Sequence, residues 1–158
     1  DDIRVAGRTC VVLGAGGAAR SVVWALAEAG VERVLVVNRT AERAHAAAAL
    51  AGSRGGVGEP GDIAHADLVV NATSVGMGVS TTADGPLPVD SDLLRPGQVV
   101  VDLVYQPLET PLLRAARAAG AHPVDGLGML VHQAALSIRR WTGADPDLAA
   151  MALAARQP

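Results

Sequence analysis

The chain has 158 residues, 50% hydrophobic and 18% charged, with a formal net charge of −3. That is one domain's worth of chain with enough apolar content for a proper core, which excludes a disordered segment. The charge gives no support for a nucleic-acid or membrane surface, no apolar run reaches the length of a membrane span, and the start, Asp1-Asp2-Ile3-Arg4, is not a signal peptide; the cytoplasm is the expected compartment. All 13 basic residues are arginine, and phenylalanine is absent as well. The lone Cys10 excludes an internal disulfide and, inside an apolar run, is expected to be buried and inert. The chain does not begin with Met and reads as a piece of something longer.

The first predicted element is a strand over 9–13. It runs into Gly14-Ala15-Gly16-Gly17-Ala18-Ala19-Arg20 and a helix over 17–29 that Gly30 ends. Gly14, Gly16 and Ala19 fit the G-x-G-x-x-G/A fingerprint of dinucleotide binding. The first glycine permits the tight strand-to-helix turn, the second leaves room for the pyrophosphate, and the small third residue lets helix and strand pack closely. The first N–H groups of the helix lack intrahelical partners and point at the phosphates.

The second strand, over 33–38, ends in Asn38-Arg39-Thr40. An NAD enzyme usually holds an acid there for the ribose hydroxyls. A carboxylate would repel a 2′-phosphate, whereas the Arg39 guanidinium attracts it and can bond it in a bidentate fashion. Thr40 can add a hydroxyl and cap the next helix, and Arg43 stands ready to close the other side. The alternative is a solvated side chain beside an ordinary helix start, the less favoured reading for Arg39 and an even one for Arg43. The strand end therefore points to NADP(H) as the cofactor.

An Ala-rich helix follows over 41–50, then an ambiguous Gly-rich stretch over 54–61 with one short possible strand, a helical turn over 63–66 and a strand over 68–71. After it comes Asn71-Ala72-Thr73-Ser74-Val75-Gly76-Met77, whose Asn, Thr and Ser offer neutral hydrogen bonds suited to ribose or amide groups, or simply to a polar loop. The loop over 72–90 is long enough to be functional.

A strand over 99–103 leads into Asp102-Leu103-Val104-Tyr105-Gln106-Pro107, and a helix over 110–119 starts at Thr110-Pro111 with Gly120 as its stop. Thr110 reads mainly as the cap. Asp102 is either an anchor for loop N–H groups, the preferred reading, or a general base. Tyr105, the only tyrosine, sits on a loop at the ligand edge, for substrate, nicotinamide or packing. A short strand over 122–124 ends in Asp125-Gly126-Leu127-Gly128-Met129-Leu130. Gly126 and Gly128 bring backbone close to something flat; Met129 touches a ring or fills the core. Gln133 is placed to bond a substrate hydroxyl or carboxylate. Helices over 129–141 and 146–156 close the chain. Histidines 45, 65, 122 and 132 show no metal spacing and no nucleophile partner.

Alternating strands and helices, with strands that are continuous apolar runs, predict an α/β fold. It is a doubly wound, mostly parallel sheet of about six strands, a Rossmann-type NADP-binding domain with two C-terminal helices. Ligands of such sheets bind beyond the carboxyl ends of the strands, where Gly14, Asn38, Asn71, Asp102 and Asp125 fall.

Seven ordered segments together resemble the shikimate dehydrogenase family: the glycine turn, Asn38-Arg39-Thr40, the segment from Asn71 to Met77, the segment from Asp102 to Pro107, Thr110-Pro111-Leu112-Leu113, Gly126-Leu127-Gly128-Met129-Leu130 with Gln133, and Trp141-Thr142-Gly143. That family reduces 3-dehydroshikimate to shikimate with NADPH, on the way to aromatic amino acids. The resemblance implies that Gly14, Ala15, Gly16, Gly17, Ala18 and Ala19 bind the pyrophosphate, and that Asn38, Arg39, Thr40 and Arg43 hold the 2′-phosphate. It places Asn71, Thr73, Ser74, Val104, Gly126 and Met129 on the cofactor, with Tyr105 and Gln133 on substrate, and no metal.

Family members begin with a substrate domain carrying the catalytic Lys and Asp. Neither precedes Asp1, and this sequence contains no Lys. The expected organisation is an interdomain linker remnant over 1–8, the NADP domain over 9–143 and a C-terminal helix over 144–158. Such a chain binds NADP(H) but does not turn over shikimate. The alternatives are a stand-alone nucleotide-binding or sensor module, a methyltransferase with a similar sheet, against which Arg39 argues, and a family cousin acting on quinate or an aminated substrate.

Overall fold

The computed structural model describes residues 3–78 and 85–156. Residues 79–84, in the middle of the long predicted loop, lie outside the described residues, as do the terminal pairs 1–2 and 157–158.

Six strands form one sheet: β1 (Thr9–Leu13), β2 (Arg33–Val37), β3 (Gly55–Val57), β4 (Leu68–Asn71), β5 (Val99–Asp102) and β6 (His122–Val124). Their order is β3-β2-β1-β4-β5-β6, and every pairing is parallel. The order reverses between β1 and β4, which makes a crevice at their carboxyl ends. The helices are α1 (Gly17–Glu28), α2 (Ala41–Ala48), α3 (Pro111–Ala118), α4 (Leu127–Thr142) and α5 (Leu148–Ala154).

Successive residues of a strand point to opposite faces, and β1 shows both faces buried. Cys10 and Val12 join Val23 of α1 and Ala44 and Ala47 of α2 in one core layer. Val11 and Leu13 join Ile63, Leu112 and Ala116 in the other. This is why the central strands are apolar without alternation. Ile3 and Val5 pack on the first layer, so the residues before β1 lie against the sheet domain. Burial pushes the Cys10 thiol up to about 12, helped by the nearby Asp67 carboxylate and opposed by Arg8. In the folded protein at pH 8 Cys10 will therefore resist a thiol reagent such as DTNB, and will react stoichiometrically only after denaturant is added; fast labelling of the native chain would contradict this.

The predicted helix over 41–50 is corrected. The α-helix stops at Ala48 and tightens into a 3₁₀ segment, Ala49–Arg54, broken at Gly52 (φ 56°). A Cβ on Gly55 would lie 1.9 Å from the Ala48 carbonyl oxygen, so the turn must end where β3 passes beneath it. Part of the ambiguous stretch becomes edge strand β3, and the predicted turn over 63–66 is corrected to a 3₁₀ segment, Pro60–His65, that starts earlier and ends before the extended Ala66. That segment is held by Gln98, which is fully buried: its Nε2 donates to the carbonyls of Ile63 (2.6 Å) and Ala66 (3.1 Å), and its Oε1 accepts from Arg95 N (2.9 Å). β2 ends one residue earlier than expected, as does β5, while α4 starts two residues earlier, behind Gly126. α5 is shorter than predicted because Asp147, accepting from the N–H groups of Ala149 and Ala150, is its cap. α5 packs on α4, and Leu136, Trp141, Leu148 and Leu153 of this pair remain exposed. Among the described residues no helix is long and apolar enough to cross a membrane.

Candidate functional site

The parallel register places Val37, Leu13, Asn71 and Asp102 in one row at the carboxyl edge of the sheet. The chain leaves each strand there, so the predicted site residues converge on this edge.

Gly14 has φ 100°, a left-handed value that glycine tolerates. A Cβ there would stand 3.1 Å from both Ala72 O and Thr73 Cγ2, so the turn is seated directly against the segment after β4. Gly16 is the N-cap of α1, and no side chain caps that helix. Among the described residues, and apart from the adjoining backbone, nothing lies within 4 Å of the position of a Cβ on Gly16 or on Gly17. Ala19 is fully buried against the sheet, while Ala15 is half-buried and Ala18 exposed. The helix thus presents unpaired N–H groups to open space, the arrangement that takes an anion.

At the end of β2, Asn38 donates from Nδ2 to the Thr40 carbonyl (3.0 Å), fixing the turn into α2. Thr40 occupies the N-cap position, but its hydroxyl makes no capping bond; the expected cap is corrected to a bare N-cap with a free hydroxyl. Arg39 and Arg43 are exposed, and neither has a hydrogen-bond or ion-pair partner among the described residues. Two guanidinium groups and a hydroxyl are thereby available around the start of α2.

The last residues of β4 and β5 are polar and face inward. Asn71 and Asp102 are 0% exposed. Asn71 donates from Nδ2 to Asp102 Oδ1 (2.9 Å) and accepts at Oδ1 from the Thr73 N–H (3.1 Å) and hydroxyl (2.7 Å). Asp102 also accepts from Val104 N (3.1 Å) and from the Thr110 hydroxyl (2.7 Å), and Thr110 Oγ1 accepts from Leu113 N (3.3 Å). Asp102 is therefore the loop anchor. Burial pushes its carboxyl above the ordinary carboxylate range, while the bonds from Thr110, Val104 and Asn71 pull it back. Thr110 is a cap as read, with a second bond that the sequence does not reveal.

Ser74 is exposed and Thr73 half-buried; Val104 is buried, and Tyr105 beside it is 42% exposed. Gly126 lies close to protein backbone: its Cβ would meet Leu103 O at 2.7 Å and Asp102 O at 2.9 Å. Met129 is half-buried near the start of α4 and Gln133 is exposed further along it. A groove of about 770 Å³ between α3 and residues 85–94, lined by Leu87, Leu94, Arg114 and Ala118 among others, contains none of the predicted cofactor residues.

The all-parallel sheet, the open α1 N-terminus at its switch point and the basic end of β2 define a dinucleotide-binding domain of the Rossmann type. Residues 2–84 match the family model for shikimate / quinate 5-dehydrogenase, and residues 126–156 that for the shikimate 5′-dehydrogenase C-terminal domain. The chain belongs to the shikimate/quinate 5-dehydrogenase family. It is 51% identical over 160 residues to shikimate dehydrogenase (NADP(+)) of Halorubrum lacusprofundi, covering 98% of this chain and 56% of that protein. It superposes on a shikimate dehydrogenase in complex with NADP+ with a TM-score of 0.85 at 36% identity, over 96% of this chain and 55% of the other. The shikimate 5-dehydrogenase of Thermus thermophilus, in complex with NADP(H) and shikimate, gives a TM-score of 0.81 at 45% identity, over 93% and 54%. Quinate dehydrogenase from Corynebacterium glutamicum, in complex with NAD, also gives 0.81, at 37% identity over 93% and 54%. The chain spans about half the length of the relatives it matches, 56% of the Halorubrum protein and 50% of its Azorhizobium caulinodans counterpart.

Proposed function

We propose that this chain is the NADP(H)-binding half of a shikimate dehydrogenase, an oxidoreductase that interconverts 3-dehydroshikimate and shikimate. The observation that carries the cofactor is the pairing of an open, uncapped α1 N-terminus with two arginines, Arg39 just after β2 and Arg43 in α2, that have no hydrogen-bond or ion-pair partner among the described residues. Bound NADPH would supply the hydride for a ketone carbon. The chain's own residues then bind and orient: Gly14, Ala15, Gly16, Gly17, Ala18 and Ala19 along the pyrophosphate, Asn38, Arg39, Thr40 and Arg43 at the 2′-phosphate. Thr73, Ser74, Val104 and Met129 border the nicotinamide, and Tyr105 and Gln133 face the substrate. The names of the NADP(+)-dependent relatives support this reading.

The proton on the carbonyl oxygen is the part this chain does not supply. The sequence contains no lysine, and Asp102 is fully buried with its carboxylate committed to Asn71, Val104 and Thr110. We assign residues 9–143 to the cofactor domain, the residues before β1 to a linker and α5 (Leu148–Ala154) to a C-terminal helix packed on it. The exposed apolar side chains of α4 and α5 are suited to packing against the other half of the enzyme.

Fluorescence titration of the purified chain with NADPH and NADH tests the reading. Saturable binding with NADPH clearly preferred is expected, and no NADP+ reduction on adding shikimate. Equal binding of both cofactors would remove the NADP assignment. Steady turnover of shikimate by the chain alone would remove the half-enzyme assignment.

A further inference from the structure

Three polar side chains, Asn71, Asp102 and Thr110, are each 0% exposed at the ends of β4 and β5 and the start of α3. Burying such groups costs free energy unless their donors and acceptors are satisfied. Here they are satisfied by one another and by backbone that has just left the sheet. N–H groups past a strand end have no ladder partner and must find one elsewhere. Thr73 N ends on Asn71, Val104 N on Asp102, and Leu113 N on Thr110. Val75 N ends on the Thr73 hydroxyl, which itself donates to Asn71.

Two further segments lean on the same cluster. Thr73 Cγ2 and Ala72 O form the surface against which Gly14 turns, each 3.1 Å from the position of its absent Cβ. The backbone oxygens of Asp102 and Leu103 form the surface against which Gly126 packs, at 2.9 and 2.7 Å from its absent Cβ. The end of β2 takes no hydrogen bond from Asn71, Asp102 or Thr110: its Val37 carbonyl accepts from Gly14 N (2.9 Å), and among the described residues the Asn38 amide serves the Thr40 carbonyl.

We propose that Asn71, Asp102 and Thr110 are positioning residues that set the nicotinamide side of the cleft without touching the cofactor, and leave the adenosine side independent. The proposal rests on the NADP(H) reading above. A hydroxyl lost at position 110 leaves Asp102 Oδ2 unpaired, and the carboxylate must turn. Val104 and, through Asn71, Thr73 then shift relative to the glycine turn, while Arg39 and Arg43 stay in place.

The test uses two near-isosteric variants, Thr110→Val and Asp102→Asn, with Thr110→Ser as the conservative variant that keeps the hydroxyl. Each is titrated with NADPH and with 2′,5′-ADP, which carries the 2′-phosphate but no nicotinamide. Thr110→Val and Asp102→Asn are expected to weaken NADPH by about three- to tenfold, the effect of one misaligned hydrogen bond or two. 2′,5′-ADP should be unchanged, the emission of bound NADPH should move toward that of the free cofactor, and Thr110→Ser should behave as the parent. If both variants weaken the two ligands equally, or neither ligand is affected, the three residues only hold the fold and the proposal is overturned. If the parent chain binds neither ligand, the NADP(H) reading itself fails, a result distinct from either of these.

Discussion

Replacing Arg39 by alanine is expected to weaken NADPH binding by about one to two orders of magnitude and to leave NADH binding nearly unchanged. A hydrogen bond to a charged group contributes about 1.5–3 kcal/mol, and tenfold in affinity is about 1.4 kcal/mol. Arg39 is exposed and has no hydrogen-bond or ion-pair partner among the described residues, so its removal breaks no such bond there and should cost little stability. The selectivity follows from charge: the 2′-phosphate is present only in NADP(H), and the end of β2 offers no carboxylate to the NAD ribose. Exposure also means screening. The Debye length falls from about 10 Å at about 0.1 M salt to about 3 Å at about 1 M, so the preference for NADPH should shrink over that range. Parallel titrations with both cofactors at each salt concentration measure this. Losses of similar size for NADH and NADPH would show that Arg39 does not read the phosphate.

Gly16→Val should abolish measurable binding of NADPH and NADH alike, a loss of about a hundredfold or more, while leaving the melting temperature within a few degrees of the parent. The two halves of this expectation come from one observation. Gly16 has φ −78° and ψ −172°, extended backbone that valine adopts readily, and its Cβ would meet nothing within 4 Å. The free protein therefore accommodates the side chain. The same open space is where the pyrophosphate must approach the α1 N–H groups, and two methyl groups there exclude it. A hundredfold loss corresponds to about 2.7 kcal/mol, within reach of a steric block at a close phosphate contact. Calorimetric melting together with cofactor titration distinguishes the outcomes. Retained binding would place the phosphates elsewhere, and a collapsed melting temperature would show Gly16 to be a structural glycine.

Much of the fold is legible in the sequence because the central strands are short, apolar and bounded by glycine or polar residues. β1, β4 and β6 fall at the predicted residues. The misplaced ends have long-range causes. α2 gives way at Ala48, whose carbonyl oxygen sits where a Cβ on Gly55 would stand, on a strand that begins seven residues later and passes beneath it. β3 is ambiguous in the sequence because Gly55-Gly56-Val57 has almost no side-chain pattern; it is a strand because β2 offers a free edge. The buried role of Gln98 is not legible locally, since beyond the nearby Arg95 N its partners are the Ile63 and Ala66 carbonyls in a different part of the chain.

The site divides in the same way. The glycine turn and Asn38-Arg39-Thr40 are readable because each works through its own backbone and charge, within a few residues. The family pattern points to Asn71 as a ligand of the cofactor, and the structure places it under the loop with its amide engaged by Thr73 and Asp102. By itself the sequence determined the alternation of strand and helix, the phosphate-binding turn and the sign of the charge beside it, because these follow from local periodicity and residue chemistry. Only the tertiary structure decided which polar groups face the cleft and which are buried behind it. The parallel register sets Asn71 beside Asp102, residues 31 positions apart that no local pattern connects, and a buried hydrogen bond is defined by that proximity rather than by either residue alone.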